Sequence, residues 1–245
     1  SERLASVGRL AAGVAHEIGN PITGIACLAQ DIKYETDNPV LLDLGEQILE
    51  QTQRVTRIVQ SLMNFSHSGN HLQHQEQGPV NIRHCAQDAI DLLLLSGRES
   101  GIEFNNLCTD EHIVMGDDQR LQQVFVNLLS NARDASPTNT TITVQASMSE
   151  HTVTVEVIDQ GSGISSEEIE QIFEPFFTTK DVGKGTGLGL SLVYSIIEDH
   201  YGHISIDSPA NKELATGTCV TINLPRYADT QESNEDPITP AQQEQ

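Results

Sequence analysis

The chain has 245 residues, enough for one large domain or two ordinary ones. Its 35 acidic against 13 basic side chains give a net charge of −22, which argues against nucleic acid or an anionic membrane as a partner. Cys27, Cys85, Cys108 and Cys219 are scattered without a C-x-x-C pair, so reduced thiols in a cytoplasmic protein are expected rather than disulfides or a zinc site. No apolar run approaches the roughly 18 residues of a membrane span.

The spacing predicts a first helix from near Ser1 to about Tyr34. Leu4, Ala11, Ile18, Ile25 and Ile32 recur every seven residues, and Val7, Val14 and Leu28 form a second row with Pro21 in the same register. This is a coiled-coil seam. His16 falls opposite it, on the solvent side, where packing does not account for a histidine. A solvated surface histidine is the bland alternative. Its neighbours favour a function: Glu17 is adjacent, and Asn20 lies one turn on along the same face. Pro21 removes a backbone donor and displaces the Glu17 carbonyl, so the helix is expected to bend or loosen beside His16. Gly19 loosens it further, since glycine in a helix costs about 1 kcal/mol relative to alanine. The chain opens inside this heptad pattern, as expected for a piece of a longer protein.

Thr36-Asp37-Asn38-Pro39 signals a turn, with the proline suited to a first helical position. Leu41, Leu44, Ile48, Val55, Ile58, Leu62 and Phe65 then form a second heptad run, interrupted by Gln51. Two such helices make an antiparallel hairpin whose seam stays largely exposed, so pairing with a second copy as a four-helix bundle is expected. Ser66–Gly78, rich in His, Gln, Gly and Asn, reads as a linker. His67, His71, His74 and His84 lack cysteines or carboxylates at ligand spacing, and a polar linker is favoured over a metal site.

Beyond the linker the pattern becomes mixed. Asn81 can cap a helix to about Ser96, Ile102–Leu107 reads as a strand, and Asp117 or Asp118 caps a helix to about Ala135. Thr141–Ser147 and Thr152–Ile158 alternate as a hairpin pair. Ser165 or Ser166 starts a short helix, Gly187–His200 forms another, and strands at His203–Asp207 and Thr218–Leu224 close the set. This order predicts helices on one face of a largely antiparallel sheet. The polar, acidic stretch from Arg226 is expected to be disordered. The expected division is 1–66 for the hairpin, 67–79 for the linker, 80–226 for the second domain and 227–245 for the tail.

Four segments of the second domain point to a nucleotide. Gln123, Asn127 and Asn131 run along one face of their helix at intervals of four, where amides can complete the shell of a Mg²⁺ already held by phosphates. An ordinary polar face is the alternative. Asp159-Gln160-Gly161-Ser162-Gly163 follows a strand, and its aspartate can accept from an exocyclic amine such as that of adenine. Gly183-Lys184-Gly185-Thr186-Gly187-Leu188-Gly189 leads into a helix whose free amides suit phosphate. Its spacing is not that of a P-loop. Between these lies Phe173-Glu174-Pro175-Phe176-Phe177-Thr178-Thr179-Lys180, which reads as a lid with a hydrophobic latch and a lysine for phosphate, or else as a small satellite core.

In this order the segments resemble the sensor histidine kinases of two-component signalling, over nearly the whole chain to about Pro225. Ala15–Pro21 resembles the phosphoacceptor box, Asn127–Asn131 the N box, Asp159–Gly163 the G1 box, Phe173–Lys180 the F box and Gly185–Leu190 the G2 box. Gly217-Thr218 resembles the last glycine-containing box. The F-box wording is closest to the nitrogen-regulation-like branch.

The resemblance implies a helical hairpin dimerising as a four-helix bundle, followed by an α/β sandwich of the kinase, chaperone and topoisomerase type. It implies His16 as phosphoacceptor, Glu17 as base and Asn20 as the residue orienting water in a phosphatase reaction. Asn131 would bind Mg²⁺ with Asn127 in support, and Asp159 would read adenine, with Gly161, Gly163 and Thr218 around the base. Lys180, Gly185, Thr186, Gly187, Leu188 and Gly189 would hold the phosphates. ATP and Mg²⁺, a second copy of the chain, a response-regulator receiver domain and an upstream sensor are the implied cofactors and partners. Gln160 departs from a common Asn, and Gly19 from a larger residue; Gly19 is expected to ease switching between kinase and phosphatase geometries. A clamp-type ATPase of the same nucleotide fold and a non-catalytic regulator-binding module are the alternatives.

Overall fold

The fold is that of a computed structural model, which describes residues 2–68, 77–95, 101–180, 185–214 and 216–227 but not the side chains of 2–17, 57, 58 and 60–68. Helices α1 (Glu2–Glu35) and α2 (Pro39–Ser68) pack along each other as a hairpin. The Asn38 side chain accepts from the Val40 amide at 3.0 Å, and Pro39 takes the first helical position, where a missing N–H costs nothing. Helix α1 continues through Pro21 without interruption, and the Thr23 hydroxyl donates to the Gly19 carbonyl at 2.9 Å. The expected loosening beside His16 is therefore not a break in the helix.

The two helices touch along a row other than the heptad seam. Ala29 and Thr52 are buried, and Gly45 backs onto Ala29 and Lys33 so closely that a Cβ would sit 2.7 Å from Lys33 Cγ. Small residues let the backbones approach, while Ile18, Ile25, Leu28 and Ile32 remain 37–65% exposed. Leu41, Leu44 and Ile48 of α2 are exposed in the same way. The heptad rows thus face outward.

The second region is a sandwich of one sheet and three main helices. Strands β2 (Glu103–Asn106), β4 (Thr141–Met148), β5 (Thr152–Ile158), β6 (His203–Asp207) and β7 (Cys219–Pro225) lie in the order β2-β4-β5-β7-β6. All neighbours are antiparallel except β2 and β4. Strands β1 (Gly78–Asn81) and β3 (Ile113–Gly116) pair as a separate ribbon. Helices α3 (Ile82–Leu95), α4 (Asp118–Ala135) and α6 (Gly189–Asp199) contribute to the same core, and α5 (Ser166–Ile169) is a single capped turn.

Alternation decides which face is covered. Val153, Val155 and Val157 of β5 point into the core opposite Leu224, Ile222 and Val220, and all six are buried. On the other face Gln145 donates to Glu156 at 2.7 Å and Thr154 to Asn223 at 2.7 Å, cross-strand pairs that suit a solvated surface. Leu121, Val124, Phe125, Leu128, Leu129 and Ala132 of α4 form the buried stripe their spacing predicts. Each large side chain so removed from water contributes roughly 1.5–3 kcal/mol.

Two contacts lock α4 to α6. Asp117 caps α4 by accepting from the Arg120 amide, and its own amide donates to His200 Nε2 at 3.0 Å. His200, only 2% exposed, places Nδ1 2.7 Å from the Ile196 carbonyl, which makes Nδ1 the protonated nitrogen of a neutral ring. Burial holds its pKa below the usual histidine value, although the Ile196 contact pulls the other way. Arg120 reaches Asp199 at 2.6 Å beside it.

Candidate functional site

A cleft of about 1040 Å³ opens between α4, the loop after β5, the Phe173–Lys180 segment and the start of α6. Its deep end is built on backbone. Asp159 ends β5 and is 8% exposed; its Oδ1 accepts from the Gly161 amide at 2.8 Å and the Thr218 amide at 3.0 Å. Burial pushes this carboxyl above the usual range, and the two amides oppose that rise. Oδ2 has no hydrogen-bond partner among the described residues, so one acceptor oxygen is left for a ligand. The loops close tightly around it: Gly217 has φ +80° and a Cβ there would lie 2.4 Å from the Asp159 carbonyl. A Cβ on Gly161 would meet the Ala135 carbonyl at 2.8 Å. Only glycine fits either place.

The shallow end presents donors. The N-cap of α6, Leu188, makes no side-chain capping bond, so no side chain of its own caps the first turn of amides. Asn127 lines the same end, and its Nδ2 is buried without a partner among the described atoms. An orphaned buried donor facing a cleft fits an anionic ligand. Lys180 Nζ lies 2.7 Å from Asp134 Oδ2 and 3.4 Å from Asn131 Oδ1. In the intervening segment Phe173 packs on Tyr194 of α6, with ring centroids 5.3 Å apart, while Phe176 is 59% exposed. Phe176 sits at φ +72° and donates its amide to the Gly187 carbonyl at 2.8 Å. Gly187, at φ +66°, lies so close that a Cβ would come within 2.3 Å of the Phe176 carbonyl carbon.

Comparison with known proteins is consistent in both halves of the chain. Residues 6–71 match the family described as His Kinase A (phospho-acceptor) domain, and residues 116–228 match the Histidine kinase-, DNA gyrase B-, and HSP90-like ATPase. Over 228 residues the chain is 34% identical to Sporulation kinase A of Bacillus subtilis (strain 168), covering 92% of this chain and 36% of that protein. The catalytic domain of the histidine kinase ThkA superposes with a TM-score of 0.55 at 32% identity, covering 62% of this chain and 97% of that one. The chain belongs to the histidine kinases. Another structure, of histidine kinase ThkA in complex with the response regulator protein TrrA, matches at 31% identity and a TM-score of 0.62, over 92% of this chain and 64% of that one. This kinase chain spans about a third of the length of the sporulation kinase.

The kinase's nucleotide residues expected from the sequence converge on the single cleft just described, with two exceptions. Gly161 backs onto Ala135, and Leu188 is buried under the start of α6. Lys180 is engaged by Asp134, a partner the sequence reading did not foresee. Asn20 is exposed on α1 and does not line the cleft. The side chains of His16 and Glu17 lie outside the described residues, as do Gly183, Lys184, the linker histidines His67, His71 and His74, and the tail beyond Tyr227. One residue the sequence reading missed reaches the cleft from the other domain: Arg54 of α2. Its signal is faint, one of the two arginines, Arg54 and Arg57, of a heptad helix. No described helix is long and apolar enough to cross a membrane.

Proposed function

We propose that this chain is the core of a cytoplasmic sensor histidine kinase, of the nitrogen-regulation-like branch, which phosphorylates His16 from Mg·ATP and passes the phosphoryl group to an aspartate of a response-regulator receiver domain. The observation that carries the reading is the convergence of Asn127, Asn131, Asp159, Lys180 and the Gly185–Gly189 segment on one cleft, in a chain whose heptad spacing predicts His16 opposite the apolar seam with Glu17 beside it. A functional division into 1–66, a 67–79 linker, 80–226 and a 227–245 tail goes with it.

The residues divide the work by chemistry. The free oxygen of Asp159 accepts from the adenine amine, and Thr218 closes over the base. Asn127 Nδ2, Lys180 and the amides of the Gly185–Gly189 segment neutralise and position phosphate, which is most of what phosphoryl transfer asks of a protein. Asn131 Oδ1 is a hard oxygen donor of the type magnesium takes. No group of three or more His, Cys, Asp or Glu side chains forms a metal cage among the described residues, so the ion would be held by Asn131, Asn127 and the phosphates together. When bound, magnesium supplies charge neutralisation to the polyphosphate. Neutral His16 attacks the γ-phosphorus through Nε2, the bond to the ADP oxygen breaks, and Glu17 accepts the proton from Nδ1. Asn20, one turn on, orients water for the reverse loss of phosphate from the regulator.

The outward heptad rows of α1 and α2 supply the surface for a second copy, giving a four-helix bundle. Incubation with γ-labelled ATP and Mg²⁺ tests the reading. Acid-labile, base-stable label on the protein, absent in His16→Ala, is the expected result. ATP consumption without protein label would instead indicate a clamp-type ATPase, and nucleotide-independent binding of a receiver domain a docking module.

A further inference from the structure

We propose that Arg54, on the phosphoacceptor hairpin, reads the terminal phosphate of the nucleotide held in the cleft of the other domain, so that the triphosphate itself bridges the two domains. The inference deepens the kinase reading and rests on it.

Three observations place Arg54 in this role. It is the residue of α2 that lines the cleft, on the same cavity as Asn131, Lys180 and Gly189, and α2 packs on α6, whose first turn opens into that cavity. It is half-buried, yet no carboxylate pairs with it among the described residues; its guanidinium only donates to neutral Gln51 at 3.4 Å. Several other cations here are paired with a carboxylate, Lys33 with Glu46, Arg83 with Asp110, Arg120 with Asp199 and Lys180 with Asp134. In a chain of net charge −22, a guanidinium turned into a cavity without an acidic partner fits an anion supplied from outside. Its planar fork matches phosphate oxygens in bidentate geometry.

The third observation is register. Gly45 backs onto Ala29 and Lys33, which fixes how α1 and α2 run past each other. Nine residues along α2 from Gly45, Arg54 comes level with the Asn20–Gly24 stretch of α1, about one to two turns from His16. Arg54 therefore stands between the phosphate end of the cleft and the level of the acceptor histidine. It is a positioning residue: it holds the terminal phosphate while that group is still on the nucleotide, and ADP leaves it without a ligand. Transfer to His16 would thereby release the domain that carried the nucleotide in.

Calorimetric affinities of the full chain for AMPPNP and ADP, in the presence of Mg²⁺, test this in wild type, Arg54→Gln and Arg54→Lys. The expected result is a loss of about tenfold in AMPPNP affinity for Arg54→Gln, the size of one charge-assisted hydrogen bond, with ADP affinity within twofold of wild type. Arg54→Lys should recover part of the loss, because it restores the charge but not the fork. An unchanged AMPPNP-to-ADP ratio in Arg54→Gln overturns the assignment while leaving the kinase reading intact. If the wild type binds neither nucleotide, the kinase reading falls and the assignment with it.

Discussion

Lys180 shows how much a single residue's partner matters to the site. Its ammonium is shared between Asp134 and Asn131, one carboxylate and one amide separated by a turn of α4. Under the proposed function, phosphate arriving in the cleft would compete with Asp134 for that charge. The ion pair is about a third exposed on both sides, so it contributes little to folding, within the roughly 0–1 kcal/mol of surface pairs. Asp134→Asn should therefore leave the melting temperature nearly unchanged and tighten ATP binding about threefold. Isothermal titration beside a thermal melt checks both halves. A variant that binds ATP more weakly would show that Asp134 belongs to the phosphate site and does not compete with it.

At the scale of elements, α4 and α6 carry the two halves of the proposed phosphate site, and His200 joins the beginning of one to the end of the other. The ring must stay neutral to accept from the Asp117 amide. Its folded pKa lies below the unfolded value of about 6.5 because of burial, with Arg120 adding to the depression and Asp117 and Asp199 opposing it. The unfolded chain therefore takes up a proton first as pH falls. The stability that neutral His200 contributes is whole above about pH 6.5 and is lost as pH drops toward the folded value. Melting temperature should fall between pH 7.5 and 5.5 more steeply in wild type than in His200→Gln, which keeps a hydrogen-bonding side chain that does not titrate there. Parallel curves would assign the acid sensitivity to other groups.

The same elements show what a sequence makes legible. The α4 stripe, the β4–β5 hairpin and β6 follow from periodicity, and of the cap candidates Asp117 or Asp118 and Ser165 or Ser166 the structure uses Asp117 and Ser165. The cleft was legible because glycines, amides and an aspartate declare backbone approach and polar contact. The β1–β3 ribbon was not, since a four-residue strand containing Gly78 and Pro79 has no alternation to read. Nor was the inner face of the hairpin, because Ala29, Gly45 and Thr52 are too small to stand out beside a row of isoleucines. Arg54, Asp134 and His200 escaped for a different reason: their roles arise from neighbours far along the chain.

For the whole molecule, the outward apolar rows are the surface on which the proposed four-helix assembly rests. Leu28 is 65% exposed on one of them, while the contact that holds the hairpin together lies on a different, neighbouring row through Ala29, Gly45 and Thr52. Leu28→Glu should therefore leave the helices paired but place a charge in the bundle seam. Removing two buried leucines, one from each copy, forfeits about 3–6 kcal/mol of burial even before the charge is counted. Sedimentation velocity should show the wild type as a dimer and Leu28→Glu as a monomer at micromolar concentration, with the helical circular dichroism of both alike. A dimeric variant would move the interface to another face.

Phe176 and Gly187 have a consequence for inheritance. Each adopts a left-handed backbone conformation, one donates a hydrogen bond to the other, and no side chain fits at Gly187 while Phe176 keeps its path. The two positions, eleven residues apart in the chain, therefore cannot drift separately. A lineage that exchanged the glycine for a larger residue would have to rebuild the phenylalanine's turn in the same step, or lose the alignment of the segment that carries Lys180 with the start of α6.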